Sequence, residues 1–131
     1  MRLLGIDYGL RKIGLAISEG QFARPFCVIR LSEKSRALRK IAKIVQEQNI
    51  KKIVIGISEG KMAKLSKEFG KMLSKKLKIE VNYVDETLST SDAQDFAIQA
   101  HIPQRKRRRL EDAYSAALIL QRYLEDCTCA K

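Results

Sequence analysis

RLLGIDYGLRKIGLAIS, residues Arg2 to Ser18, holds two short apolar runs, Arg2–Asp7 and Ile13–Ser18, either side of a turn that Gly9 and Gly14 bracket. Apolar runs of this length joined by a glycine turn predict an antiparallel hairpin. Pro25–Leu31 (PFCVIRL) predicts a third strand, with Pro25 at its start, where a missing N–H is tolerated. Beyond it the period changes. Leu38, Ile41, Ala42 and Val45 follow helical spacing, Lys51–Ser58 predicts a buried strand, and Leu65, Phe69, Met72, Leu73 and Leu77 mark a second helix with a basic outer face. Ile79–Asp85 predicts a fifth strand. Ser91 with Gln94 resembles a capping box opening a helix towards Ala100, which Pro103 ends, and a last helix spans about Leu110 to Glu125. Strand, helix, strand, helix, strand implies parallel pairing, and the opening three strands imply a meander. The expectation is one α/β domain, residues 1–126, with a mixed sheet flanked by helices on both faces and a short tail at 127–131.

The chain has 131 residues, enough for one core and too few for two domains. It carries 26 Lys and Arg against 15 Asp and Glu, a formal charge of +11, and is 45% hydrophobic, which excludes a disordered tail. No apolar run is long enough to span a membrane, and the N-terminus lacks a signal peptide's h-region, so the chain reads as soluble and cytoplasmic. So large a positive excess favours a polyanionic partner. With four Phe, four Tyr and no Trp, phosphate contacts suit the composition better than a base-stacking platform, although Tyr8 and Tyr114 could either stack on a base or pack in the core. Cys27, Cys127 and Cys129 are too few for a disulfide framework, and Cys127 with Cys129 would need two more ligands to hold a metal.

In α/β sheets the chemistry gathers at the carboxyl ends of parallel strands, which selects the acidic residues that matter. Asp7 ends the first strand, and Asp85 and Glu86 end the fifth. Asp112 lies near the start of the last helix. There Glu111, Ser115, Arg122 and Asp126 share a polar face, whereas Asp112 falls beside Ala116, Ile119 and Tyr123. A first-turn Asp is favoured by the helix dipole alone, but a carboxylate on an apolar helix side is costly unless it is paired or binds a cation. Acids converging from two strand ends and a helix make an oxygen-only site suited to Mg²⁺ or Mn²⁺, and a pair of such ions activates water and stabilises the leaving oxygen of a phosphodiester. The five-residue run Arg105, Lys106, Arg107, Arg108, Arg109 directly precedes Asp112 and would hold phosphates, with Arg11 and Lys12 on the first turn as further contacts.

GIDYGLRKIGLAIS, VDETLST and RKRRRLEDAYSAALILQRYLE, in this order, resemble the three signatures of the YqgF/RuvX family, from Arg2 to about Glu125. Members have a ribonuclease H-like fold and are described as Holliday junction resolvases or pre-16S rRNA nucleases. The resemblance implies sheet order 3-2-1-4-5 with strand two antiparallel. It also implies that Asp7, an acid of the VDE segment and Asp112 form the metal site, and of the two acids there Glu86 is taken over Asp85, in a site expected to hold two ions. The chain departs from the family pattern at Thr87, where an Arg is common. It departs again at Gly56–Ser58, where Gly-Leu-Pro is usual, and in a shortened loop at Glu59–Lys61. Glu59 stays a minor candidate ligand, because related resolvases carry an acid on strand four. Asp7-x-Gly9 also resembles the phosphate turn of sugar kinases and actin, but those close two domains around ATP, for which this chain is too short. The reading is a metal-dependent nuclease on structured nucleic acid, acting as monomer or homodimer, with 5′-end processing of pre-16S rRNA as its role. Cleavage of four-way DNA junctions is the alternative, and a non-catalytic nucleic-acid-binding module is the rival from another class.

Overall fold

The structure, a computed structural model, describes residues 2–57, 60–85 and 111–129, with the side chains of 85 and 126–129 left aside. The elements run β1 (Arg2–Tyr8), β2 (Lys12–Glu19), β3 (Phe22–Arg30), α1 (Lys34–Glu47), β4 (Ile50–Ile57), α2 (Lys61–Leu77), β5 (Glu80–Asp85) and α3 (Glu111–Cys129). The five strands form one sheet in the order β3-β2-β1-β4-β5. β1 and β3 are antiparallel to β2, and β1, β4 and β5 run parallel, so the mixed topology expected from the sequence is the one observed. The helix expected at Ser91–Ala100 lies outside the described residues.

Strand alternation divides the side chains between two apolar layers. Leu4, Ile6, Ile13, Leu15, Ile17, Ile53 and Ile55 pack with Ala37, Leu38 and Ile41 of α1 and Phe69 and Leu73 of α2. Leu3, Ala16, Ala23 and Val54 face the other way, against Ala116, Ala117, Ile119 and Leu120 of α3. Ala16, Ala23, Ala116 and Ala117 keep this layer thin, so α3 sits close to the sheet. A Cβ on Gly5 would come within 2.8 Å of both the Ala116 carbonyl oxygen and Leu120 Cβ. Buried polar groups in this layer are answered. Ser18 Oγ accepts from the Leu3 amide at 2.8 Å. Gln121 ties α3 to the β2–β3 hairpin, its side-chain oxygen accepting from the Ala23 amide at 2.8 Å while its NH₂ donates to the Gln21 carbonyl at 3.1 Å.

Two details differ from the sequence reading, and a third settles an open choice. β3 begins at Phe22, so Pro25 lies inside the strand rather than at its start. The β2–β3 register shifts between Leu15 and Ala16, which pair with Cys27 and Pro25, so Phe26 bulges out. β3 is an edge strand, and an edge strand with a bulge tolerates a missing N–H in its interior. The last helix continues to Cys129, beyond the apolar stripe that ends near Glu125. Tyr8 and Tyr114 are buried, Tyr8 with its ring 4.7 Å from that of Phe69, so neither presents a face for base stacking.

At the opposite end of the sheet from Asp7, Lys52 joins three elements. Its Nζ lies 2.9 Å from Glu80 Oε2 and donates to the Tyr123 hydroxyl at 3.2 Å. The Glu80 hydrogen bond, then that to Tyr123, raises the Lys52 pKa, and Lys52 holds the Glu80 carboxyl below the ordinary carboxylate range.

Two expected outcomes follow from this packing. Gly5→Ala lowers stability by about 1–3 kcal/mol in denaturant unfolding, because backbone on one side and Leu120 on the other leave no room to relax. For Lys52→Met, the deficit in Tm relative to wild type is constant around neutrality. Glu80 has a lowered pKa, so its contribution is present above the ordinary carboxylate value and fades as pH falls through the lowered one. Lys52 has a raised pKa, so its contribution is present below the ordinary lysine value of about 10.4 and fades as pH rises through the higher one. A deficit that does not shrink at either extreme would show that the ion pair contributes nothing.

Candidate functional site

β1 carries Asp7 to the rim at the carboxyl ends of the parallel strands. Leu3 and Gly5 face α3, so the two-residue period puts half-buried Asp7 on the α3 side as well. Its partner across the β1–β2 ladder is Gly14. Directly opposed residues of an antiparallel pair stand about 4.5–5.5 Å apart at Cα.

Gly14 is the hinge of the arrangement. A Cβ there would overlap the carbonyl group of Asp112 and come within 2.8 Å of the Ala113 amide nitrogen. The first turn of α3 is therefore set down directly on Gly14. Asp7 and Asp112, 105 residues apart in sequence, flank the same glycine. Gly14 was expected to close the first turn. Gly9 does that, its N–H donating to the Lys12 carbonyl at 3.0 Å, while Gly14 lies within β2 and serves as the contact point for a helix. Asp112 is half-buried beside buried Ala113 and Ala116, as the helical spacing required.

β5 ends at Asp85, whose backbone is level with Ile57 of β4, and β4 in turn pairs with β1 through Ile55 and Ile6. The ends of β1, β4 and β5 thus share one rim, as the parallel pairing predicted. Glu86, Thr87, Glu59 and the run Arg105, Lys106, Arg107, Arg108, Arg109 lie outside the described residues.

The same rim carries a basic cleft. Arg11, Lys12, Arg30, Leu31 and Ser32 line an open depression of about 390 Å³. Arg11 and Lys12 were expected at this turn, and both are exposed. Arg30 and Ser32 were missed. Lys12 and Arg30 are register partners, and the Leu31 amide donates to the Arg11 carbonyl at 2.8 Å, which ties the end of β3 to the first turn. The signal lay in the meander itself, because a three-strand meander returns the end of its third strand to the start of its second. No ion pair engages Arg11, Lys12 or Arg30 among the described residues. The rim thus holds carboxylates on one side of the β1–β2 turn and cations on the other.

The donors fit a hard divalent cation in kind. Asp7 and Asp112 offer carboxylate oxygens only, and among the described residues no histidine or cysteine groups with them to favour a softer metal. Among the described residues no cluster reaches three such ligands, and Glu86, the expected third, is outside them. The thiol of Cys27, the free cysteine among the described residues, is half-buried on β3, and burial pushes its pKa up, so it is not poised as a nucleophile. No helix among the described residues is long and apolar enough to cross a membrane.

A family model described as RuvX, Holliday junction resolvase, matches residues 1–126. Among curated relatives, a protein of Clostridium beijerinckii named "Putative pre-16S rRNA nuclease" is 32% identical over 133 residues, covering 95% of this chain and 96% of its own length. One of the same name from Oenococcus oeni is 34% identical over 136 residues, covering 95% and 94%. Among solved structures, the fowlpox virus resolvase with its Holliday junction substrate superposes with a TM-score of 0.69 at 16% identity, covering 97% of this chain and 99% of that one. RuvC of T. thermophilus, solved with a Holliday junction substrate, gives 0.65 at 13% identity, covering 98% and 96%. These structures share the ribonuclease H-like fold that the strand order 3-2-1-4-5 describes. With its family match across residues 1–126 and relatives above 30% identity along nearly its whole length, the chain belongs to the RuvX family of nucleases.

Proposed function

We propose that this chain is a divalent-metal-dependent nuclease that trims the 5′ end of precursor 16S rRNA. The observation that carries the reading is the juxtaposition of Asp7 and Asp112 across Gly14. A strand end and a helix start are brought into contact at a glycine, with a carboxylate on each, on a chain whose net charge is otherwise strongly positive. A pure binding module gains nothing from acids where phosphate must lie. The names of the curated relatives favour precursor rRNA as the substrate.

In this reading Asp7, Asp112 and Glu86 hold Mg²⁺ or Mn²⁺. The ions supply activation of water and neutralisation of charge on the scissile phosphate. The chain's own residues do the rest. Arg11, Lys12 and Arg30 grip phosphates beside the scissile bond and position the strand without reading its bases. Arg105 to Arg109 would hold the strand as it approaches Asp112. Gly14 fixes the spacing between the two carboxylates, because nothing larger fits under the helix. Cleavage of a four-way DNA junction is the second reading, which the family's description favours.

The test is cleavage of a labelled 16S precursor leader and a labelled four-way junction, side by side, in Mg²⁺, Mn²⁺ or EDTA. Metal-dependent cutting of the leader is expected. Cutting of the junction alone selects the second reading, and tight binding without cutting in any metal removes the nuclease reading.

Asp7→Asn keeps shape and removes charge. It is expected to lower the cleavage rate by more than about 100-fold, since even outer-shell changes at metal sites cost about 10–100-fold, while RNA binding in EDTA is unchanged or tighter. Gly14→Ala is expected to lose about 100-fold in cleavage, because displacements of about 1 Å at a reacting centre have that effect, with roughly 1–3 kcal/mol of stability lost in denaturant unfolding. Full activity in Gly14→Ala would show that the α3 contact does not set the site.

A further inference from the structure

Among the described residues the positive charge is not spread evenly around the fold. α1 and α2 lie together on the face of the sheet away from Asp7 and Asp112, since both contribute to the apolar layer opposite α3. These two helices hold eleven lysines and arginines against two acids, Glu47 and Glu68, whereas α3 holds four acids against Arg122.

Helical spacing sorts the charges into two stripes. Arg36, Arg39, Lys40 and Lys43 share one side of α1, turned away from buried Ala37, Leu38 and Ile41. Lys64, Lys67, Lys71 and Lys75 recur every three to four residues along α2, opposite buried Ser66, Phe69, Gly70 and Leu73, over about 16 Å of helix. All eight side chains are exposed. Lys43 pairs with Glu47 at 3.9 Å, and no ion pair engages the other seven among the described residues.

Glu68 stands within the α2 stripe, four residues after Lys64 and three before Lys71, but the cations outnumber it, and on balance the stripes work against the helices that carry them. Like charges three and four residues apart repel, and cations in the first turn oppose the helix dipole. Both helices begin on lysine with no acid in the first turn and no side-chain cap. Local choices that oppose the fold mark surfaces kept for another purpose. The apolar sides of both helices are consumed by the sheet, with Met72 the one large apolar side chain of the pair left exposed, so no apolar face remains to enter a lipid layer. The remaining match is a rigid polyanion.

We propose that the outer face of α1 and α2 is a second nucleic-acid-binding surface. It takes the phosphate backbone of a helix other than the one presented to the carboxylates, so that a folded RNA is held on two sides of the sheet. The assignment does not depend on the nuclease reading, because it is tested by binding in EDTA.

Fluorescence anisotropy would follow two labelled RNAs, a single hairpin and two hairpins on one strand, over a range of salt. The proteins are the full chain, a Lys64→Gln/Lys67→Gln/Lys71→Gln variant and the corresponding Lys→Glu variant. The wild type is expected to bind the two-hairpin RNA more tightly and with the steeper salt dependence. The triple variants are expected to lose about three units of that salt slope and roughly 10- to 100-fold in affinity for it, with single-hairpin affinity retained. The Tm of the Lys→Glu variant should equal or exceed that of wild type, because like-charge repulsion has been removed. If it falls, the glutamine variant, which keeps the side-chain length, decides. An unchanged slope on the two-hairpin RNA overturns the proposal. Equal loss on both RNAs also overturns it, by making the stripes part of the groove at the carboxylates. Binding to phosphatidylglycerol vesicles that the two-hairpin RNA does not displace would overturn the choice of partner.

Discussion

The direct contact between α3 and the β1–β2 pair governs the rest of the architecture. Helices usually pack on sheets through large side chains that keep the backbones apart. Here Gly5, Gly14 and Ala16 on the strands meet Ala113, Ala116 and Ala117 on the helix, and both glycines lie directly against helix backbone. Such an interface holds position tightly, because backbone meets backbone at Gly14 and little room is left for a shift. Gln121 then pins the middle of the helix to the β2–β3 hairpin. The first turn of α3, and with it Asp112, has no freedom to drift from Asp7.

Under the proposed metal-dependent nuclease reading, that rigidity has a chemical meaning. Ligands for a small divalent cation must be held in near-ideal geometry, and groups on strands and helices are held more precisely than groups on loops. Asp7 is on a strand flanked by paired strands on both sides, and Asp112 is in a helix held at its first turn by Gly14 and at its middle by Gln121. The neighbouring cations are placed with less constraint. Arg11 and Lys12 sit on and just after a turn, and Arg30 ends an edge strand. Phosphates can be gripped by long flexible side chains, so the looser placement suits the looser task.

Much of this was legible in the sequence because the signals were local. The apolar runs at Arg2–Asp7, Ile13–Ser18 and Lys51–Ser58 marked strands to within a residue or two, and helical spacing put Asp112 beside Ala116 and Ile119, which are buried. What was misread depended on partners distant in the chain. A glycine that closes a turn and a glycine that admits a helix look the same in a sequence, so Gly14 was assigned to the turn. Pro25 looked like a strand start because the bulge and edge position that make it tolerable come from pairing with β2. Arg30 and Ser32 belong to the cleft only because the meander folds them back onto Lys12 and Arg11.

The net charge of +11 reads differently once the fold is known. As a single number it suggests a uniform field drawing nucleic acid towards the protein from any side. Among the described residues the structure divides it. The α3 layer bears acids, the β1–β2 rim sets cations beside carboxylates, and the α1–α2 layer bears most of the excess. Beyond about 8 Å at physiological ionic strength, charges on opposite faces scarcely feel one another. The positive slab behind the sheet therefore does little to offset the repulsion between a phosphodiester and the pair Asp7 and Asp112. That work falls to groups at the rim itself, the cations of the cleft and any ion bound by the carboxylates. The charge on α1 and α2 is left with a different task, which is why overall basicity and the candidate site are two separate facts about this protein.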